Sequence, residues 1–254
     1  MIEQNFAVDS NPEVEISCSS GSVIVESGAP GTVGVTIDSR HPEGWTVRQS
    51  GNSIAISYER SFLEFDRGGR ARIRVVAPDG STLRVNSASA DIRASLDLDR
   101  VTIASASGDL QLGDVATADL KTASGDITLG RVDRDLTARS ASGDIRVESV
   151  GGQTSVTTAS GDVAVGRAEG SLSASSASGD VRVTRYLGDD LESSTMSGDL
   201  AIGLPAGRTV KLSARTLSGA VRLPDRKPSN ASEGQPVSIR LKSVSGDITI
   251  RRLD

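Results

Sequence analysis

The chain has 254 residues, room for one or two domains with a core of useful size. Aromatic residues make up 2% and hydrophobic residues 36%, low for a globular enzyme core but suited to a repeat that buries Val, Ile, Leu and Ala. A formal charge of −5 excludes the basic field that nucleic-acid binding needs, and the single cysteine, Cys18, excludes an intramolecular disulfide and cysteine-built zinc or iron–sulfur sites.

The start, Met1-Ile2-Glu3-Gln4-Asn5, lacks the basic region and apolar run of a secretory signal, and no apolar stretch reaches the roughly 18 residues of a membrane span. A cytoplasmic location is the expectation from these two features. Up to about Ser89 the strands are long and the turns irregular: Val14 to Ser17, Val23 to Glu26, Val33 to Ile37, Thr46 to Gln49, Ile54 to Tyr58, Arg72 to Val76 and Leu83 to Val85 each alternate apolar and polar residues. Cys18 continues the apolar phase of Val14 and Ile16, which predicts a buried, inert thiol. His41, the sole histidine, falls in a loop and has no second histidine with which to hold a metal.

Five of the six aromatic residues lie in this section: Phe6, Trp45, Tyr58, Phe62 and Phe65. Bulky side chains here suit a cap over the open end of a stack. Phe62, Leu63 and Phe65, set among charges, form either a contact patch or a further piece of that cap.

From Asp91 onward one phrase recurs, Ser-Ala-Ser-Gly-Asp followed by an apolar, polar, apolar triplet. Asp91, Asp109, Asp126, Asp144, Asp162, Asp180, Asp199 and Asp247 end its copies, at separations of 18, 17, 18, 18, 18, 19 and 48 residues. A fixed period of this size is the mark of a stacked repeat. After Asp144, Ile145, Val147 and Val150 form one alternation and Val156 and Ala159 a second, so each repeat holds two short strands. Glycine permits positive φ at the turn, and the flanking Ser and Asp side chains bond nearby backbone. The pattern predicts an all-β fold, a β-solenoid resembling a parallel β-helix with two-strand coils of about 18 residues. An antiparallel meander is its rival.

Ser20-Gly21-Ser22-Val23 matches the repeat in residue type, and Ser50-Gly51-Asn52-Ser53-Ile54 is a looser copy. The expected organisation is therefore residues 1–89, an irregular β section with N-terminal coils and cap, and 90–254, the regular solenoid, together forming one continuous domain. No proline interrupts the chain between Asp79 and Leu204, as an unbroken ladder requires. Pro224 to Pro236 is a polar loop, and Val244 to Ile250 is expected to close the stack, with Arg251 and Arg252 blunting its edge.

The Asp row reads as turn-forming carboxylates that bond backbone amides. A calcium ladder would need more oxygens per coil, and an acid pair of a polysaccharide enzyme would break a repeat rather than constitute it. No residue is therefore assigned to catalysis, and no metal or cofactor is expected. Arg93, Arg146, Arg182 and Arg222 share the second position after the repeat's Asp (or Ala220), with Thr128 and Thr249, and form a candidate polar face for glycans or anionic polymers.

The stretch Ala77-Pro78-Asp79-Gly80-Ser81-Thr82-Leu83-Arg84-Val85-Asn86-Ser87-Ala88-Ser89-Ala90-Asp91-Ile92, followed by recurrent Ser-Gly-Asp-Ile/Val/Leu, resembles the bacterial putative-adhesin domain of unknown function, a β-strand repeat family. The resemblance implies a β-solenoid with an adhesive or cell-envelope role and supplies no catalytic residues. The functional expectation is a non-enzymatic binding or adhesion module whose repetitive polar face meets a protein or glycan, with no nucleic-acid partner. The alternative is an intracellular scaffold that self-associates through the ends of the solenoid. A carbohydrate-active β-helix enzyme is the minor third.

Overall fold

The structure is a computed structural model and describes residues 1–58, 70–224 and 236–253. It divides into two compact units, Met1–Gly130 and Arg131–Asp254.

The first unit carries β1 (Ile2–Ala7), β2 (Glu13–Ser27), β3 (Thr32–Ser39), a 3-10 turn at Pro42–Gly44, β4 (Trp45–Ser50), β5 (Ser53–Tyr58), β6 (Arg70–Ala77), β7 (Ser81–Ala94), β8 (Leu98–Ser107), β9 (Leu110–Leu112), β10 (Val115–Ser124) and β11 (Ile127–Val132). β2 and β7 are long because each runs through a corner and serves two rows of strands. The first half of β2 pairs in parallel with β5 and β7 (Val14 with Ile54 and Leu83), and its second half with β6 and β7 (Val23 with Ile73 and Ile92). From β7 the rows continue in parallel through β8 and β10, and through β9 and β11. Parallel pairing at successive coils excludes the antiparallel meander for these strands.

The start of this unit departs from the repeat. β3 runs antiparallel to both β1 and β6, and β4 antiparallel to β5. Trp45 closes edge-on against Tyr58, ring centroids 5.3 Å apart, so two of the sequence's aromatics cover the outermost coil. Ser20-Gly21-Ser22 is a true copy, since Ser22 registers with Asp91. Ser50-Gly51-Asn52-Ser53 is not: it is the hairpin turn between β4 and β5, with Gly51 at φ +59°, and Ile54 falls in register with Val14. Residue type alone could not separate a hairpin glycine from a corner glycine.

The second unit carries β12 (Leu136–Ser142), β13 (Ile145–Val150), β14 (Thr154–Ser160), β15 (Val163–Ala168), β16 (Leu172–Ser178), β17 (Val181–Tyr186), β18 (Asp190–Ser197), β19 (Leu200–Pro205), β20 (Val210–Arg215), β21 (Val221–Arg222), β22 (Val237–Ser245) and β23 (Ile248–Leu253). One row runs β12, β14, β16, β18, β22, β20 and the other β13, β15, β17, β19, β23, β21, all parallel. Equivalent residues stack in register about 4.8 Å apart, as in Val163, Val181, Leu200, Ile248 and Val221. These inward side chains are buried as far as Ile248, each contributing roughly 1.5–3 kcal/mol.

The last copy in the sequence does not close the stack. β22 lies between β18 and β20, and β23 between β19 and β21, which accounts for the 48-residue gap before Asp247. Burial explains the order. β22 presents Val237, Ile239 and Leu241 and is fully flanked, whereas β20, with Val210, Leu212 and Ala214, remains half-exposed at the edge.

Candidate binding face

The corners set every other feature. Gly161 has φ +152°, and a Cβ placed on it would lie 2.2 Å from the carbonyl oxygen of Gly143. Coils meet backbone to backbone here, so only glycine fits. The Asp that follows then reaches along the stack, and its Oδ1 accepts the N–H of the equivalent Asp in the adjacent coil. In the second unit Asp162 N–H donates to Asp144 at 2.8 Å, Asp180 to Asp162 at 2.9 Å, Asp199 to Asp180 at 2.8 Å and Asp247 to Asp199 at 2.7 Å. Ala220 N–H ends the series on Asp247 at 2.8 Å. In the first unit Asp109 donates to Asp91 at 3.2 Å and Asp126 to Asp109 at 3.0 Å.

Each such carboxylate therefore has an oxygen committed to an amide. Among the described residues no group of three or more His, Cys, Asp or Glu is arranged to hold a metal ion. Asp247 is held below the usual carboxylate range, chiefly by the Ala220 N–H and then by Arg222, whose guanidinium lies 2.5 Å away. The opposite corner repeats the device less regularly, with Asp97 N–H on Asp79 at 3.2 Å and Gln153 N–H on Asp135 at 2.9 Å.

Four residues before Asp162, Asp180, Asp199 and Asp247, a buried hydroxyl donates to a corner glycine carbonyl in the neighbouring coil. Thr158 bonds Gly143, Ser176 bonds Gly161, Thr195 bonds Gly179 and Ser243 bonds Gly198, at 3.0–3.3 Å. Cys18 keeps the inward phase of Val14 and Ile16 and falls in this row. It registers with Ser87, its Sγ lies 3.7 Å from Ser87 Oγ, and it is half-buried. Burial pushes its thiol up, against the lowering effect of Ser87.

His41 precedes the 3-10 turn, with its Nδ1 3.2 Å from Glu43 Oε1. The Glu43 carboxyl is lowered mainly by its own backbone N–H, with His41 adding to the effect. Phe62, Leu63 and Phe65 lie outside the described residues.

The outward row two residues after each Asp is a continuous line in the second unit: Arg146, Ala164, Arg182, Ala201, Thr249 and Arg222 occupy successive coils. Arg146 bonds its own Asp144 at 2.7 Å and Arg222 bonds Asp247. Arg93 lies in the first unit, where its Nε donates to Gln111 at 3.4 Å and Thr128 follows in register. Among the described residues, then, Arg146, Arg182 and Arg222 form one line and Arg93 belongs to a separate unit.

The row five residues after each Asp escapes a reading by residue type, because Ser149 and Leu204 interrupt Arg167, Arg185 and Arg252. Tyr186 is also absent from any motif. It takes the inward place held by Ala168 one coil earlier and is fully buried, which pushes its hydroxyl well up. Arg208 crosses beside it, bonding the Leu187 carbonyl, the Gly188 carbonyl at 2.9 Å and Asp189 at 2.5 Å.

Comparison with known proteins agrees with this architecture. A putative adhesin from Bacteroides fragilis has a crystal structure similar to this one, with a TM-score of 0.53 at 13% identity over 99% of this chain and 96% of that one. A putative adhesin from Parabacteroides distasonis covers the same shares at 12% identity, with a TM-score of 0.40. The first likeness is one of fold. No curated protein matches the sequence. The Toastrack DUF4097 family model matches residues 11–251, nearly the whole chain, and the protein belongs to that family.

Proposed function

We propose that this protein is a non-enzymatic binding or adhesion module, a rigid β-solenoid that presents a repetitive polar face to a protein or glycan. The observation that carries the reading is the alignment of Arg146, Ala164, Arg182, Ala201, Thr249 and Arg222 on successive coils, an outward line that runs along paired strands to the edge strand β21. The fold invests its recurrent carboxylates in backbone amides, which leaves the outward positions to carry function. The adhesin description of the Bacteroides fragilis relative supports the reading, and with it action at the cell surface.

A glycan array tests it. The chain should bind a subset of glycans, and Gln at Arg93, Arg146, Arg182 and Arg222 should abolish that binding without unfolding the protein. Binding that survives all four changes, or turnover of any polysaccharide, would overturn the proposal.

A further inference from the structure

Two faces of the second unit treat their charges differently. On the face of β12, β14, β16, β18, β22 and β20, outward side chains are mostly hydroxyls, and two cations are matched by acids on the neighbouring strand. Arg240 meets Asp190 at 3.4 Å and Lys242 meets Glu192 at 3.6 Å. On the face of β13, β15, β17, β19 and β23, Arg146, Arg167, Arg182, Arg185, Arg251 and Arg252 are exposed and the outward acid is Glu148. Arg146 and Arg167 bond Asp144 and Glu169, while Arg182, Arg185, Arg251 and Arg252 have no ion pair among the described residues.

Those four belong to β17 and β23, two strand spacings apart, or roughly 10 Å. Arg182 and Arg185 are about as far from each other along β17. Between the two strands β19 presents the small, half-buried Ala201, while Gly203 is buried beside Leu253, so the guanidiniums border a low floor. Residues 131–254 hold 17 Lys and Arg against 15 Asp and Glu, a balance of +2, while residues 1–130 hold 11 against 18, a balance of −7. Four unmatched arginines thus lie close together on β17 and β23, whereas Arg139, Lys211 and Arg215, the cations without an ion pair among the described residues of the other face, lie apart on its outer strands β12 and β20.

We infer that this face binds a linear acidic polysaccharide, whose carboxylate or sulfate groups supply the missing counter-charge while its sugar rings lie over Ala201. The inference rests on the binding-module reading and names its ligand class. Guanidinium groups grip carboxylate and sulfate oxygens through paired N–H donors, which suits groups spaced along a polymer. An acidic lipid surface fits less well, because the outward positions of these strands carry no aromatic side chain and, for a large aliphatic one, only the half-buried Leu253, too little to enter the acyl region. A single-stranded nucleic acid would want aromatic platforms, which this face also lacks.

The test is titration of the full chain with heparin and with polygalacturonate, with neutral dextran and acidic-phospholipid vesicles as comparators. Both acidic polysaccharides should bind, dextran should not, and binding should weaken as salt rises from about 50 mM to about 300 mM. Replacing Arg182, Arg185, Arg251 and Arg252 with Gln should raise Kd about tenfold or more, with the melting temperature unchanged. Arg240→Gln with Lys242→Gln on the other face should leave Kd as it was. Failure of both acidic polysaccharides to bind, tighter binding to the vesicles, or unchanged affinity in the fourfold variant would overturn the assignment. Glycan binding that persists in that variant but is lost on changing Thr157 and Ser175 would refute the arginine face and leave the binding-module reading standing. If no array glycan or protein bound at all, that reading would fall as well.

Discussion

At the scale of single residues, the stack depends on whether an inward hydroxyl finds a carbonyl. Ser176 donates to Gly161 at 3.0 Å. Ser193, one strand on and two positions from Thr195, is 1% exposed, and its Oγ has no hydrogen-bond partner among the described residues. A satisfied buried hydrogen bond contributes about 1 kcal/mol, whereas an unsatisfied buried hydroxyl costs about 1–3 kcal/mol. Ser176→Ala should therefore lower stability by about 1 kcal/mol, and Ser193→Ala should raise it by a similar amount. Urea unfolding of the two variants checks this, and equal shifts in the same direction would contradict it. Both serines sit in similar Ser-rich strands, Leu172–Ser178 and Asp190–Ser197, so the difference between them is invisible without the register.

At the scale of elements, the strands and corners were legible because their causes are local. Period-two alternation needs only the pleat, and Ser-Gly-Asp needs only a tight corner with a carboxylate to bond the next amide. The order of coils was not legible. Nothing near Asp247 says that β23 pairs with both β19 and β21, because that choice is made by comparing the apolar surface of distant strands. The antiparallel β1, β3 and β4 were hidden for the same reason, since alternation looks alike in either direction. Of the arginine face, Arg146 and Arg182 were legible in the row two residues after each Asp, but Arg167, Arg185 and Arg252 were not, because their row is broken by Ser149 and Leu204.

The edge coil also carries a pH dependence. Asp247 bonds Ala220 N–H and Arg222, and its folded-state pKa is lowered from 3.8. A depressed carboxyl stabilises the fold at pH values above the unfolded pKa, and that contribution is lost as pH falls through the folded value. Asp247→Asn should destabilise the protein near neutrality, and the difference in melting temperature from the parent should shrink as the pH falls below the unfolded carboxyl's value. A difference that persisted undiminished in acid would show that the charge is not what holds the last coil.

At the scale of the molecule, the account assigns binding to an outward face and not to the ends. The C-terminal edge is built as a stop. Ala220 replaces the Asp that would accept a further coil's amide, β21 is only two residues long, and Lys211, Arg215 and Arg222 are exposed on the edge strands. Charged, short edges resist strand addition even beside exposed Leu217, Val221 and Leu223. In the first unit β1 and β4 pair antiparallel with their neighbours, and Trp45 packs edge-on against Tyr58. Each repeat carboxylate already has one oxygen on an amide, and calcium is therefore expected not to bind the row. The most direct measurement is the mass of the purified chain by light scattering across a concentration series, with and without calcium. The account predicts a mass of 26.2 kDa throughout, indifferent to calcium. A mass that grows with concentration, or that calcium changes, would contradict it and move the functional surface to the ends of the solenoid or to the Asp row.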